Sequence, residues 1–239
     1  MVAEEEVTSV EDFLNTIKRY KENTNQEDFL FRGQADDHPL IPKISRLQPK
    51  GKLIEIEKLL LEEFKRTNPL LIEGYQSYDD WDYLTLGQHY GLPTRLLDWS
   101  NNALTALWFA TNRISIESIY GSNSAIVWVL MTAAADYNLD IYETHPFNIK
   151  ETKIFRPRII KQRINNQSGV FSIQPSSEIE QKSQLNTVYP FSEKLLKIKI
   201  PSESLKGIRA DLNVLGVNAF SIFPELEGLC AYLQWRYFE

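Results

Sequence analysis

The chain has 239 residues, a net charge of −6 and a pI of about 5.3, with 43% hydrophobic and 12% aromatic residues. That is enough apolar material for a sizeable core. The acidic balance disfavours general phosphate-backbone binding, and a single cysteine, Cys230, rules out an intrachain disulfide and any multi-cysteine metal site. Three dispersed histidines do not suggest a metal site either, and no apolar run approaches the roughly 20 residues of a membrane span. The acidic start, residues 1–6, does not read as a signal peptide, so a cytoplasmic protein is expected.

In chain order, residues 1–7 read as a frayed tail. A helix with capping-box character then starts at Thr8 or Ser9, with Phe13, Leu14, Ile17 and Tyr20 at helical spacing. Residues 29–31 form a short strand ended by Gly33. Residues 53–64 read as an amphipathic helix with Leu59, Leu60 and Phe64 inward, and residues 81–88 as a third helix. Beyond an apolar helix at 101–110, residues 124–130 read as a strand buried on both faces. Residues 154–160 are expected to be extended, 169–174 to be a strand and 175–187 an exposed loop. Residues 195–200 alternate with period two, and helices follow near 201–210 and 223–233. Tyr232, Trp235, Tyr237 and Phe238 are expected to pack the C-terminus. Helices lie mostly in the first half and strands in the second. This predicts an α+β fold in a single domain over residues 8–238, with N-terminal helices on a mixed or antiparallel sheet. The motif core spans 28–113 and the strand-rich half 120–238.

The chemistry-bearing stretch is residues 88–100, from Gln88-His89-Tyr90-Gly91 through Pro93-Thr94-Arg95 to Asp98-Trp99-Ser100. Gly91 and Pro93 suit a fixed turn, and Asp98 or Ser100 is placed to cap the helix that follows. A polar loop at a helix N-terminus suits an anion. In the alternative, Arg95 and Asp98 only satisfy each other. Arg32, at a strand end beside Gly33, offers a fork for phosphate or carboxylate, or else pairs internally with Asp98 or with a carboxylate of the C-terminal segment. Gly33 would let a ligand approach the backbone. His89 is an acid–base candidate or a hydrogen-bonded loop residue; His38 and His145 read as surface groups. Arg156, Arg158, Lys161 and Arg163 form a basic run, either a solvated face or a dock for a macromolecular acceptor or partner.

Phe31-Arg32-Gly33-Gln34, Leu40-Ile41-Pro42-Lys43 with Arg46, the 88–98 stretch and the 106–110 helix together resemble the FRG domain. One departure is Pro39 before Leu40, where an aromatic residue is expected. The order Arg32-Gly33, Asp98-Trp99-Ser100, Ala106-Leu107-Trp108-Phe109-Ala110 and Glu225-Leu226-Glu227 is also similar to ADP-ribosyltransferases, although a Ser-Thr-Ser strand motif is absent. That likeness implies an ADP-ribosyltransferase-like fold and NAD as cofactor. Arg32, with Gln34, Arg95, Asp98 and Ser100 nearby, would hold the diphosphate, and Tyr90 or Trp99 would stack on nicotinamide. Glu227, with Glu225 second and His89 assisting, would serve catalysis. Two classes of function follow. One is an NAD-using ADP-ribosyltransferase or NAD-cleaving enzyme, as a toxin or defence effector, with no metal. The other is a non-catalytic module binding a nucleotide-like molecule or a partner.

Overall fold

The computed structural model describes residues 2–67, 78–112, 124–138, 143–158 and 169–238. Among these, seven strands form one sheet: β1 (Ala3–Glu6), β2 (Asp28–Gln34), β3 (Leu96–Ser100), β4 (Ser124–Thr132), β5 (Lys153–Phe155), β6 (Gly169–Ile173) and β7 (Leu195–Pro201). Their order is β1-β7-β4-β2-β3-β6-β5, with β1 parallel to β7 and the other neighbours antiparallel. The helices are α1 (Val10–Glu22), α2 (Lys43–Arg46), α3 (Leu53–Thr67), α4 (Asp80–His89), α5 (Ala103–Thr111), α6 (Ser176–Glu180), α7 (Leu205–Val214), α8 (Ala219–Ile222) and α9 (Leu226–Phe238). The fold is α+β, as the order of elements predicts.

Residues 125–130 of β4 are buried without a break, because both faces of this central strand are covered. On one face Val127 and Val129 meet Leu196, Ile198 and Ile200 of β7 under α1, α5, α7 and α8. On the other, Leu30, Leu97, Trp99, Ile126 and Trp128 pack with Leu40 from a loop and with Leu185 and Phe191 from short 3-10 turns. At the far end of the sheet α3 and α4 bury Leu61, Trp81 and Leu84 against Leu96, Phe155, Phe171 and Ile173. Phe31 pairs with Ser100 across β2 and β3, and Leu96 has the parity of Ser100. Period-two alternation therefore puts α3 and α4 on the same sheet face as α5. The helices stand on that face in two groups, with β2 and β3 beneath the gap between them.

Several expectations give way. Residues 3–6 are not a frayed tail but strand β1, held by β7 and by ion pairs from Glu4 to Lys199 and from Glu5 to Arg19. The inward face of α3 is Leu53, Glu57 and Leu61, while Leu59 is 61% exposed. A carboxylate occupies an inward position, while Leu60 and Phe64 are half-buried beside that stripe, so of the three residues expected inward only Leu59 is misplaced. Residues 175–187 are not an exposed loop: they contain α6, and Ile179 and Leu185 are fully buried. Extended backbone ends at Phe155, with 156–158 irregular and 159–160 outside the described residues. Tyr237 and Phe238 do not pack the C-terminus but are exposed at the end of α9. Among the described residues, no helix is long and apolar enough to cross a membrane.

Candidate functional site

The 88–100 stretch is not one loop. It is a helix end, a turn and a strand. Helix α4 starts with a reciprocal capping box: Asp79 accepts from the Trp81 and Asp82 amides, and Asp82 accepts from the Asp79 amide. The helix leads through Tyr90 to Gly91, whose φ of +85° suits glycine. The turn is then pinned, with Lys43 Nζ donating to the Gly91 carbonyl at 2.8 Å and Thr94 Oγ1 donating to Gln88 Oε1 at 2.6 Å. Strand β3 follows, and α5 is capped by Asn102, not by Asp98 or Ser100. Asn102 Oδ1 accepts from the Leu104 and Thr105 amides, and Ser100 Oγ accepts from the Asn102 amide.

Arg95 does not pair with Asp98, and it does not reach the cleft. It is fully buried, and its Nη2 donates to Glu57 Oε2 at 2.6 Å while its Nε donates to Oε1 at 3.0 Å. The guanidinium also lies 4.3 Å from the Phe147 ring centroid. Asp98 pairs with Arg32 instead. Arg32 Nη1 donates to Asp98 Oδ1 at 2.7 Å and to the Asp98 carbonyl at 2.8 Å. This joins β2 to β3 where their ladder, paired only at Phe31 and Ser100, opens.

Above this opening lies a cavity of about 360 Å³. Its polar lining comes from Arg32 of β2, Thr85, Gln88 and His89 of α4, and Asp98 and Ser100 of β3; Phe31, Phe109 and Phe171 are among its apolar lining. Crowding by the cleft walls disfavours a charge on Asp98. The Arg32 guanidinium overrides that and, with Arg46, holds the carboxyl below the usual carboxylate range. The Arg32 Nε and the Thr85 hydroxyl are buried with no hydrogen-bond partner among the described residues.

Of the residues singled out in the sequence, Arg32, Gly33, His89, Asp98, Trp99 and Ser100 border this cavity. Two of them do so for reasons other than those expected. A Cβ on Gly33 would sit 1.9 Å from the Ala106 carbonyl oxygen, so it is α5, not a ligand, that approaches the glycine backbone. The Trp99 indole is committed to the core, and its Nε1 donates to Ser172 Oγ at 3.0 Å. Tyr90 stands 62% exposed, edge-on to His89, outside the cavity lining. Gln34 is buried, and its Oε1 accepts from Trp128 Nε1. Glu225 and Glu227 are both exposed, before and within the first turn of α9, and neither lines the cavity.

The basic run is partly spent on ion pairs. Arg156 meets Asp28, and Arg158 meets Asp79 and Asp82; Lys161 and Arg163 lie outside the described residues. His38 is not a free surface group. It contacts Gln34 Nε2, and burial, with Arg46 nearby, holds its pKa below the usual histidine value. Thr85 was missed as a lining residue, although 85, 88 and 89 fall at i, i+3, i+4 on one face of α4. Phe171 lies too far along the chain for any local pattern to link it to the site. Among the described residues, no group of three or more His, Cys, Asp or Glu side chains is placed to hold a metal ion.

No curated protein and no solved structure matches the chain. The family model of the FRG domain matches residues 27–118, a segment that holds every cavity-lining residue named above except Phe171. The chain carries an FRG domain, and its Phe-Arg-Gly signature supplies Phe31, Arg32 and Gly33 to the cleft.

Proposed function

We propose that the cleft binds a nucleotide-like small molecule, with NAD the first ligand to test. One observation carries the reading: polar groups from β2, α4 and β3, distant in sequence, meet at one aromatic-walled cavity. Sites for small molecules are typically concave, largely apolar and furnished with a few convergent polar groups. At about 360 Å³ the cavity suits a nucleoside-sized fragment and not a whole dinucleotide. NAD is favoured by the order of Arg32-Gly33, the 98–100 segment and the 106–110 helix, which is similar to that of ADP-ribosyltransferases.

ADP-ribosyl transfer or NAD cleavage is the second reading. It is favoured by Asp98, held ionised by Arg32, sharing a cleft with His89. A carboxylate near the anomeric carbon stabilises the positive charge that develops as a glycosidic bond breaks. Among the described residues Asp98 is the carboxylate that lines the cavity, so on this reading it takes the role that chain order gave to Glu227.

Calorimetric titration with NAD and chromatographic assay of nicotinamide release test both readings. Binding without release supports the module. For the enzyme, Asp98→Asn should lower turnover by about 10²–10³, while Glu225→Gln and Glu227→Gln leave it unchanged. Neither heat nor release from the wild-type protein would contradict the proposal.

A further inference from the structure

The Arg32–Asp98 pair is lopsided. Arg32 uses Nη1 for both of its contacts. Gln88 Nε2 approaches the same carboxylate oxygen, Oδ1, at 3.4 Å. Among the described residues Oδ2 takes no side-chain contact. The Asp98 side chain is 59% exposed and that of Arg32 only 12%. The half of the pair that faces the cavity is therefore the carboxylate.

We infer that Asp98 Oδ2 is a ligand anchor that accepts a hydrogen bond from a ribose hydroxyl, so the cavity holds a nucleoside and leaves any phosphates at its mouth. This rests on the nucleotide-site reading above and reverses the expectation that Arg32 grips a diphosphate. Charge decides between the two. Arg32 and Asp98 are the charged residues among the described residues that line the cavity, and they neutralise each other. A diphosphate placed there would meet an exposed carboxylate, while the one cation among the described lining residues, Arg32, is already paired with it and Arg46 stands outside the lining. A hydroxyl donor meets an acceptor that is already fixed and ionised, and hydrogen bonds to charged groups are the stronger kind. Carboxylates hold ribose hydroxyls in the same way in dinucleotide-binding folds. A second hydroxyl finds Ser100, Gln88 and His89 on the surrounding wall, and Phe109 and Phe171 add apolar lining for the base.

The test is calorimetry on the wild-type protein with NAD, adenosine, nicotinamide riboside, the 2′,3′-dideoxy form of each nucleoside, and inorganic pyrophosphate. The expected result is that NAD and at least one nucleoside bind, that its dideoxy form binds about tenfold or more weakly, and that pyrophosphate gives no heat. Asp98→Asn should then narrow the gap between the nucleoside and its dideoxy form, with the second hydroxyl still met by the surrounding wall, a loss of discrimination that a merely structural role would not produce. Equal binding of both forms by the wild-type protein would overturn the inference, and so would an Asp98→Asn protein that discriminates as strongly as the wild type. Binding of NAD and pyrophosphate with both nucleosides silent would overturn this inference and leave the nucleotide site standing. No heat from any probe would overturn both. Should Asp98→Asn fail to fold, the wild-type comparison alone decides, since it alters only the ligand.

Discussion

Two arginines near the same strand illustrate how context decides the use of a side chain. Arg95 is fully buried, with Glu57 taking its backbone amide as well as its guanidinium. Breaking such a pair leaves one charge stranded in the core, which typically costs about 3–5 kcal/mol. Urea denaturation of Arg95→Ala or Glu57→Gln should show a loss of that size, and a loss under about 1 kcal/mol would mean the pair is not holding α3 to β3. The double replacement Glu57→Leu with Arg95→Met should recover much of the stability, because an apolar pair of similar volume needs no desolvation. None of this was legible locally. Glu57 lies 38 residues before Arg95 and sits where the helical pattern asks for an apolar residue. The Arg32–Asp98 pair was one of the open readings for Arg32, because complementary charge shows in a sequence but distance does not.

At the scale of elements, the close contact of β2 with α5 sets the floor of the cleft. Gly33 allows it, since any Cβ would meet the Ala106 carbonyl and the Ala110 amide, both of them helix backbone that cannot rotate away. Gly33→Ala should therefore cost about 3 kcal/mol or more, the upper end of overpacking. It should also weaken ligand binding, because Phe109 of α5 lines the cavity. A Gly33→Ala protein with an unchanged melting temperature would show that the helix adjusts freely. Strands β4, β6 and β7 were legible because an apolar run or a period-two pattern survives sequence inspection. Strand β3 was not, because its five residues come shortly after the Gly91-Leu92-Pro93 turn and expose Asp98 in mid-strand. Strand β1 was hidden because three glutamates read as solvated tail. Lys197 and Lys199, nearly two hundred residues away, make that acidic edge compatible with a sheet.

At the scale of the molecule, the helices on one sheet face fall into two groups, one over β7-β4-β2 and the other over β3-β6-β5. The cleft is the gap between them, and the opened β2–β3 ladder lies at its base. The FRG domain spans that gap, contributing β2, α4, β3 and α5, while β6 from outside the matched segment closes the far wall. The sequence carried the motif but not the seam, because the seam depends on which strand each helix covers. Helix α9, with Glu225 just before it and Glu227 in its first turn, stands apart from the cleft lining. The most direct test of the cleft as the ligand site is amide hydrogen exchange, read by mass spectrometry with and without saturating NAD. Slower exchange is predicted at residues 85–89 and 96–100, with residues 226–238 unchanged. Unaltered exchange in both of the first two segments, or protection confined to 226–238, would contradict the account.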